Sequence, residues 1–258
     1  MKDFPYFFEE IYSIYNKKEY IHTDPIYYPH TLEGNKEFIA FTSACFAYGN
    51  VKAIKSFLTS FFNHYGSDPL RVKKESAGLY YRFQKKADVE YYADFMNRIY
   101  SEHGSIENIF NQRDTLEEGI DFFYETMHGM CSDAGNGFFF LIPNPKTSGA
   151  KRLRMFLRWM IRKDDVDFGL WDSFDPSQLM MPIDTHILRF AKNNNIIKNE
   201  TASRANLTIV SNFFRALNAA DPAKYDFALT RLGIVNSCKY RDCDYCVKCI
   251  HKKGCIFA

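Results

Sequence analysis

Two short stretches carry the residues best suited to covalent chemistry. Gly149-Ala150-Lys151-Arg152 places a lysine at the predicted start of a basic helix, and the stretch from Met181 to Phe190 places Asp184 at the start of another. A neutral lysine amine can attack the C1′ atom of a nucleoside and form an imine, while a carboxylate stabilises positive charge on the sugar. Lys151 and Asp184 are therefore candidate catalytic residues for cleaving an N-glycosidic bond through a Schiff base.

Each of these residues also has a simpler explanation. A lysine at the start of a helix is usually solvated, and an aspartate just before a helix usually caps it, as Asp184 would for the residues that follow. A basic helix face is most often a solvated face and only sometimes a nucleic-acid contact. The residue types alone leave both interpretations open.

Charge is distributed unevenly along the chain although the net charge is only +2. Residues 146–163 hold seven basic side chains and no acid, whereas residues 114–133 hold six acids and no lysine or arginine. Within the basic segment the apolar residues fall on one face of a predicted helix and the basic residues lie near the other. This pattern is most often a solvated helix face, and binding of phosphate groups is the alternative.

Hydrophobic periodicity predicts a mostly α-helical chain. An N-terminal helix and an extended arm are expected in residues 1–34, and the apolar stripe from Ile54 to Tyr65 indicates one further helix. The run Phe138 to Ile142 fits either a short strand or a buried connector. The remaining predicted helices cover residues 36–48, 88–101, 106–112, 115–130, 149–163, 184–194, 203–218 and 223–234.

The composition is that of a globular protein. With 258 residues, 46% apolar and 25% charged, the chain can form one large or two small domains. Aromatic residues make up 17%, which indicates a core rich in Phe and Tyr, with a stacking surface as the alternative. No apolar run of 18 residues exists and the N-terminus lacks a signal-peptide core, so a cytoplasmic protein without a membrane partner is expected.

Five of the seven cysteines lie within residues 238–258. In a cytoplasmic protein such clustering favours a metal over disulfides. A metal held entirely by protein thiolates leaves no open coordination position, so its role would be structural. Free thiols in a loop that has lost its metal are the alternative.

The stretch from Pro182 to Arg189 resembles the Val-Asp-Thr-His-(x)-x-Arg segment of the helix-hairpin-helix DNA glycosylases, the endonuclease III superfamily. The stretch from Ile142 to Lys151 stands where that family has its hairpin. The resemblance implies that Lys151 is the Schiff-base lysine and Asp184 its carboxylate partner.

Two features depart from the family pattern. Residues 144–148 (Asn-Pro-Lys-Thr-Ser) replace the hairpin glycines, and the interval from Lys151 to Asp184 is 33 positions, longer than in endonuclease III itself. Both departures resemble the divergent branch of archaeal 8-oxoguanine glycosylases and, more closely, a related uncharacterised bacterial family. The stretches similar to the latter are residues 151–153, 156–160, 167–169, 221–222 and 225–227.

The resemblance implies an all-α, two-lobed helix-hairpin-helix DNA glycosylase-like fold with a C-terminal Cys-rich loop. Residues 1–50 would form an N-terminal arm and helix that join the C-terminal lobe, and residues 51–163 a middle lobe that includes the divergent hairpin. Residues 164–236 would complete the C-terminal lobe, and residues 237–258 would form the metal loop.

The activity implied by the resemblance is that of a bifunctional DNA glycosylase and AP lyase in base excision repair. Its substrate would be damaged double-stranded DNA, with an oxidised purine such as 8-oxoguanine as the excised base, and the protein would act as a monomer. A catalytically silent DNA-binding module that keeps the fold is the alternative. The predicted DNA contacts are Lys146, Ser148, Gly149, Arg152, Arg154 and Arg158, and the predicted base pocket contains Asp221 and Tyr225, with Asp221 alternatively a helix cap.

The cysteine spacing is also similar to this superfamily. Cys246, Cys249 and Cys255 match the last three ligands of its iron–sulfur loop, and Cys238 precedes them by one residue more than usual. The resemblance implies a four-iron, four-sulfur cluster on these four residues. Cys243 is an alternative ligand in place of Cys238, and zinc is the alternative metal.

Overall fold

The computed structural model describes residues 4–73, 75–242, 246, 247, 249 and 255–257. Within them the chain forms twelve α-helices and three 3-10 helices, and strand-like pairing is limited to three isolated bridges. The predicted all-α class is confirmed. Cys243 lies outside the described residues.

The helices follow one another with short connections. The 3-10 helices cover Lys18–Thr23, Pro69–Arg71 and Pro176–Gln178. The α-helices are α1 (Phe4–Tyr15), α2 (Tyr27–Thr31), α3 (Lys36–Cys45), α4 (Val51–Tyr65), α5 (Lys86–His103), α6 (Ile106–Phe110), α7 (Leu116–Met130), α8 (Asn136–Phe139), α9 (Lys151–Ile161), α10 (Thr185–Asn193), α11 (Arg204–Leu217) and α12 (Asp226–Val235).

The helices predicted from periodicity are confirmed within a few residues at each end. The extended arm expected after the N-terminal helix is wrong, because that part of the chain forms the 3-10 helix Lys18–Thr23 and then α2. The run from Phe138, which fitted a strand or a connector, begins inside the one-turn helix α8 and continues as a turn. Helix α5 begins two residues before Asp88, the first residue of the range predicted for it. Asp88 accepts a hydrogen bond from the backbone N–H of Lys85 at 2.8 Å, so it closes the first turn from inside the helix.

Two hydrophobic cores organise the described residues. The first packs α2 to α9 around aromatic side chains such as Phe41, Phe46 and Phe156. The second joins α1 to α10, α11 and α12, with Phe8, Phe190 and Phe214 among its members. The prediction of a core rich in Phe and Tyr is confirmed.

The N-terminal 50 residues contribute to both cores. Phe7, Phe8 and Ile11 of α1 lie in the second core, whereas α3 lies in the first. Helix α9 is buried in the first core but begins beside the segment that leads into α10 of the second. The starts of α9 and α10 therefore meet where the two cores adjoin.

No helix in the described part of the chain combines the length and the apolar character needed to cross a membrane.

Helix α1 offers a direct test of the second core. Phe8 is fully buried, while Tyr6 on the same helix is 64% exposed. We expect Phe8→Ala to lower the free energy of unfolding by about 3–5 kcal/mol, because it removes a buried ring and leaves a cavity. Tyr6→Ala should change it by about 0.5 kcal/mol or less. Urea titration measures both, and equal effects would contradict the packing of α1.

Candidate active site

The loop before α9 sets the position of Lys151. Ala150, which precedes the helix, has a left-handed backbone with φ of 42°, unusual for a residue other than glycine. Its N–H donates to the Ser148 hydroxyl at 3.2 Å, and the Gly149 N–H donates to the Ala202 carbonyl at 2.8 Å. The loop is therefore held to residues 201–204, and Lys151 begins the helix in a defined place.

Gly149 brings the two catalytic candidates together. A Cβ atom at this position would lie 2.7 Å from Cδ1 of Ile183, the residue before Asp184. Only glycine permits this approach without displacing Ile183. The close packing joins the start of α9 to the start of α10. Gly149 was predicted to contact DNA; in the structure it makes this packing contact.

Asp184 caps α10. Its Oδ1 accepts hydrogen bonds from the N–H groups of His186 and Ile187, both at 2.8 Å, and Oδ2 lies 3.4 Å from the Thr230 hydroxyl of α12. The simple capping explanation is therefore correct. It is compatible with a chemical role, because a cap fixes the carboxylate at the mouth of the helix.

Lys151 and Asp184 line two cavities in common. One, here named the carboxylate cavity, has a volume of about 140 Å³ and is also lined by Asp24, Arg158, His186, Asp226 and Arg231. The other, the loop cavity, has a volume of about 510 Å³ and is also lined by Tyr48, Ser148, Arg152, Thr185 and Glu200. The structure thus brings the two predicted catalytic residues to one place.

The amine of Lys151 is available for chemistry. Its side chain is half-buried, and within the described ranges it makes no hydrogen bond or ion pair. The charge of Lys151 nevertheless acts on the pKa values of Asp226 and His186, which shows that these groups are near. A cationic or nucleophilic amine without a protein partner can meet a ligand in the cavity.

Asp226 is a site residue that the sequence did not reveal. It starts α12, is 5% exposed and accepts a hydrogen bond from the guanidinium of Arg158. Burial raises the pKa of Asp226 to about 7; Asp184 acts in the same direction, while Arg158 and Lys151 oppose it. A carboxyl with a pKa near neutrality can donate or accept a proton at working pH.

The arginines of α9 are turned inward rather than toward solvent. Arg154 forms a bidentate pair with Glu117, at 2.6 and 3.1 Å, and Arg158 binds Asp167 and Asp226. Both side chains are at most 4% exposed. This differs from their predicted contact with DNA phosphates, because a buried guanidinium requires carboxylate partners from within the fold. Those partners are distant in sequence, so periodicity could not indicate them.

Arg162 extends the same network. It pairs with Asp164 at 2.9 Å, with Asp167, and with Asp221 at 2.8 Å. Asp221 was predicted to frame a base pocket, but here it neutralises Arg162. The hydroxyl of Tyr225, the other predicted pocket residue, donates to Glu9 at 2.6 Å. Neither residue lines the two cavities that contain Lys151.

The remaining predicted contacts differ in exposure, and Arg152 is buried. Lys146 is exposed and pairs with Glu125 at 3.1 Å. Ser148 lines the loop cavity and donates to the Asn144 carbonyl at 2.9 Å. Arg152 donates to the carbonyls of Cys45, at 3.2 Å, and Phe140. Of the predicted DNA contacts, Ser148 and Arg152 therefore line the loop cavity, while Lys146 lies beside it in sequence.

The cysteine-rich segment packs against the second core. Burial raises the pKa of the Cys238 thiol to about 12, and the charges of three further thiols act in the same direction, which indicates that they are near: Cys246, Cys249 and Cys255. The N–H groups of Tyr240 and Phe257 donate to the sulfurs of Cys238 and Cys255 at 3.3 and 3.4 Å. Such N–H to sulfur bonds suit thiolates that hold a metal.

The ligand set is not assembled in the described residues. Among them, no group of three or more His, Cys, Asp or Glu side chains lies close enough to hold a metal ion. The donor chemistry fits an iron–sulfur cluster or zinc, but the geometry does not provide a finished site. The cluster on Cys238, Cys246, Cys249 and Cys255, and the alternative with Cys243, both stay predictions.

Tyr240 connects this segment to the site. Its buried hydroxyl donates to the Leu229 carbonyl at 2.9 Å and lies 3.2 Å from Nδ1 of His186. A Cβ atom at Gly233 would overlap both the Tyr240 hydroxyl and the His186 ring. Burial lowers the pKa of His186 and so favours the neutral imidazole. The charge of Asp184 acts in the opposite direction. The Tyr240 hydroxyl therefore holds the imidazole of His186 in place at the start of α10.

The site defines an all-α protein with a lysine and two carboxyl groups at the junction of two cores. Residues 24–235 match the family described as Protein of unknown function (DUF2400), so the chain belongs to that family. No curated protein and no solved structure matches the chain.

The raised pKa of Asp226 predicts a pH dependence of stability. A carboxyl whose pKa rises from 3.8 to about 7 on folding favours the folded state most below pH 4 and loses that contribution as pH rises through 7. Asp226→Asn should remove this slope, so its stability relative to wild type should increase by a few kcal/mol between pH 4 and 8, at about 1.36 kcal/mol per pKa unit.

Denaturant titrations at several pH values measure this difference. Asp175→Asn is the matched control, because that exposed carboxylate caps a short 3-10 helix and its pKa is lowered rather than raised. It should leave the slope between pH 5 and 8 unchanged. A slope that persists in Asp226→Asn would show that another group titrates.

Two cysteine variants test the predicted metal ligands. Protein purified without oxygen should contain about four iron and four sulfide ions per chain if the cluster is present. Cys238→Ser should lose the metal and Cys243→Ser should retain it, as measured by elemental analysis and visible absorption. The reverse pattern would assign Cys243 as the ligand, and zinc without iron would identify the alternative metal.

Proposed function

We propose that the protein is a bifunctional DNA glycosylase and AP lyase that removes an oxidised purine such as 8-oxoguanine in base excision repair. The observation that carries this proposal is the free amine of Lys151, which lines two cavities together with Asp184. An amine beside a carboxylate is what Schiff-base cleavage of an N-glycosidic bond requires.

The reaction begins when the neutral amine of Lys151 bonds to C1′ of the damaged nucleotide. The bond from C1′ to the base breaks, and its electron pair leaves with the base, which takes up a proton. The adduct nitrogen, which carries two protons, gives one to the Asp226 carboxylate, and O4′ takes up that proton as the C1′–O4′ bond breaks, which leaves a protonated imine. The Asp226 carboxylate then accepts a proton from C2′, the C3′–O bond breaks, and the 3′ phosphate leaves with the electron pair of that bond.

The two carboxyl groups have separate tasks in this scheme. Asp184, fixed by the N–H groups of α10, stabilises positive charge as it develops on the sugar. Asp226 has a pKa near 7 and is partly protonated at neutral pH, so it supplies the proton that the departing base takes up. A buried carboxyl with a raised pKa can serve as the acid beside a second carboxyl group that stabilises charge.

The fold proposed for this activity is the two-lobed helix-hairpin-helix arrangement. Its support consists of the Pro182–Arg189 motif, the all-α class and the division of the helices between two cores. In this arrangement the loop from Pro143 to Gly149 would take the place of the hairpin. DNA would lie across the loop cavity, the larger of the two cavities that contain Lys151.

One observation favours the second candidate, a DNA-binding module without turnover. Arg154 and Arg158, expected to hold phosphates, are buried in ion pairs, so the surface near Lys151 offers fewer cations than the sequence indicated. This candidate retains binding to duplex DNA, weakened by salt, and predicts no covalent intermediate.

Borohydride trapping distinguishes the two candidates. Wild type incubated with a duplex that carries 8-oxoguanine, or a preformed abasic site, should give a covalent adduct when borohydride reduces the imine to an amine. Lys151→Ala should give none, because no amine attacks C1′. Asp184→Asn should slow excision by roughly 100-fold or more, by analogy with other electrostatic stabilisers.

Lys192→Ala is the control, because this exposed lysine lies at the far end of α10 and pairs with Glu200. It should be trapped like wild type. Adduct formation with the abasic duplex alone would support the AP-lyase activity and show that 8-oxoguanine is not the excised base. Adducts that persist in Lys151→Ala would refute the assignment of the nucleophile, and no adduct from folded wild type would favour the silent module.

A further inference from the structure

A tight turn projects aromatic side chains beside the loop cavity. Tyr81 and Gln84 exchange backbone hydrogen bonds at 3.0 and 2.9 Å, which leaves Arg82 and Phe83 at the corner. Arg82 has a left-handed backbone with φ of 51°. This segment, residues 80–84, is named the aromatic turn.

Buried side chains hold the base of the aromatic turn rigidly. Tyr81 is 4% exposed and Gln84 1% exposed. The Tyr81 hydroxyl donates to the Tyr48 carbonyl, Gln84 accepts from the Tyr48 hydroxyl, and the Gln84 amide donates to the Gly137 carbonyl at 2.8 Å. The corner is thus preorganised, so ordering it when a ligand binds costs little free energy.

The corner exposes flat apolar surface that the core does not use. Tyr80 is 72% exposed and Phe83 59% exposed, and Phe140 beside them is 41% exposed. Phe83 and Phe140 have ring centroids 4.9 Å apart, and Phe83 stacks nearly parallel to Tyr48 at 6.2 Å. Exposed rings that lie together in one patch are typical of a binding surface.

Cations surround these rings. The guanidinium of Arg82 lies 5.6 Å from the Phe83 ring centre and 5.8 Å from that of Tyr48, and in the described parts of the chain it has no carboxylate partner. Arg152 lies 4.9 Å from the Tyr48 ring centre. Lys85 and Lys86 follow the turn and are exposed. Aromatic faces combined with unpaired cations suit a base and its flanking phosphates.

The aromatic turn is continuous with the proposed active site. Tyr48 and Arg152 line the loop cavity together with Lys151. The Arg82 guanidinium lies over Gly49, where an added Cβ would come within 2.9 Å of it, and Gly49 lines both cavities. A strand that reaches Lys151 would therefore pass within reach of the turn.

We infer that the aromatic turn binds an unpaired nucleobase of the nucleic acid, which stacks on Phe83 while Arg82 contacts the adjacent phosphate. The inference deepens the proposed function and depends on it for the nature of the partner. The aromatic turn should therefore bind DNA with one unpaired base more tightly than fully paired DNA.

The test compares two duplexes of equal length, one fully paired and one with a single bulged 2-aminopurine. Fluorescence anisotropy gives the affinities, and 2-aminopurine quenching reports stacking. Wild type should prefer the bulged duplex and quench its fluorescence. Phe83→Ala should reduce that preference by about tenfold or more, since stacking on one aromatic ring contributes strongly to the affinity for a base. Phe83→Trp should retain it.

Tyr6→Ala is the matched control, because Tyr6 is an exposed aromatic residue that lines neither cavity. It should behave as wild type. Equal preference in wild type and Phe83→Ala, or no preference in wild type, would overturn the inference. If wild type shows the preference but gives no borohydride adduct, the proposed function fails and the binding surface stands. If wild type gives an adduct without the preference, the proposed function stands and the binding surface fails.

Discussion

The buried ion pairs of α9 are the constraint on which the site depends. Arg158 and Arg162 are each 4% exposed, and their partners come from the loop after α9, from the segment that leads into α12 and from the first residue of α12. Charges removed from water are tolerated only when they are paired, so these contacts have little freedom to rearrange. They fix the direction of α9, and with it the place of Lys151 at its first turn.

The same ion pairs connect the two cores. Helix α9 packs in the first core, whereas Leu229 and Leu232 of α12 pack in the second. Arg158 reaches across to Asp226, the first residue of α12. The carboxylate cavity lies beside this pair, so its acidic wall and its lysine are held by opposite cores. A change in how the cores meet would alter the separation of the amine and the carboxyl groups.

The helices and several caps could be predicted from the sequence because their causes are local. Periodicity within ten or fifteen residues identifies a helix, and Asp184 can be recognised as a cap from its immediate neighbours. The pairing of Lys151 with Asp184 required a resemblance, since nothing local joins them. The burial of Arg154 and Arg158 and the importance of Asp226 could not be found, because each depends on partners between 9 and 68 positions away. The sequence offers one local hint that Asp226 is buried. It is a carboxyl at a helix start that is followed by apolar residues: Phe227, Ala228 and Leu229.

Helix α1 is synthesised long before the C-terminal helices against which it packs. Phe7 and Phe8 pack against residues more than 170 positions later, including Phe190 and Phe214. At about 5–20 residues per second, ribosomes need on the order of ten seconds or more to deliver those partners. The first core can assemble during that interval, while α1 emerges with its apolar face uncovered. The nascent protein therefore presents an uncovered apolar helix before the surface on which that helix docks exists.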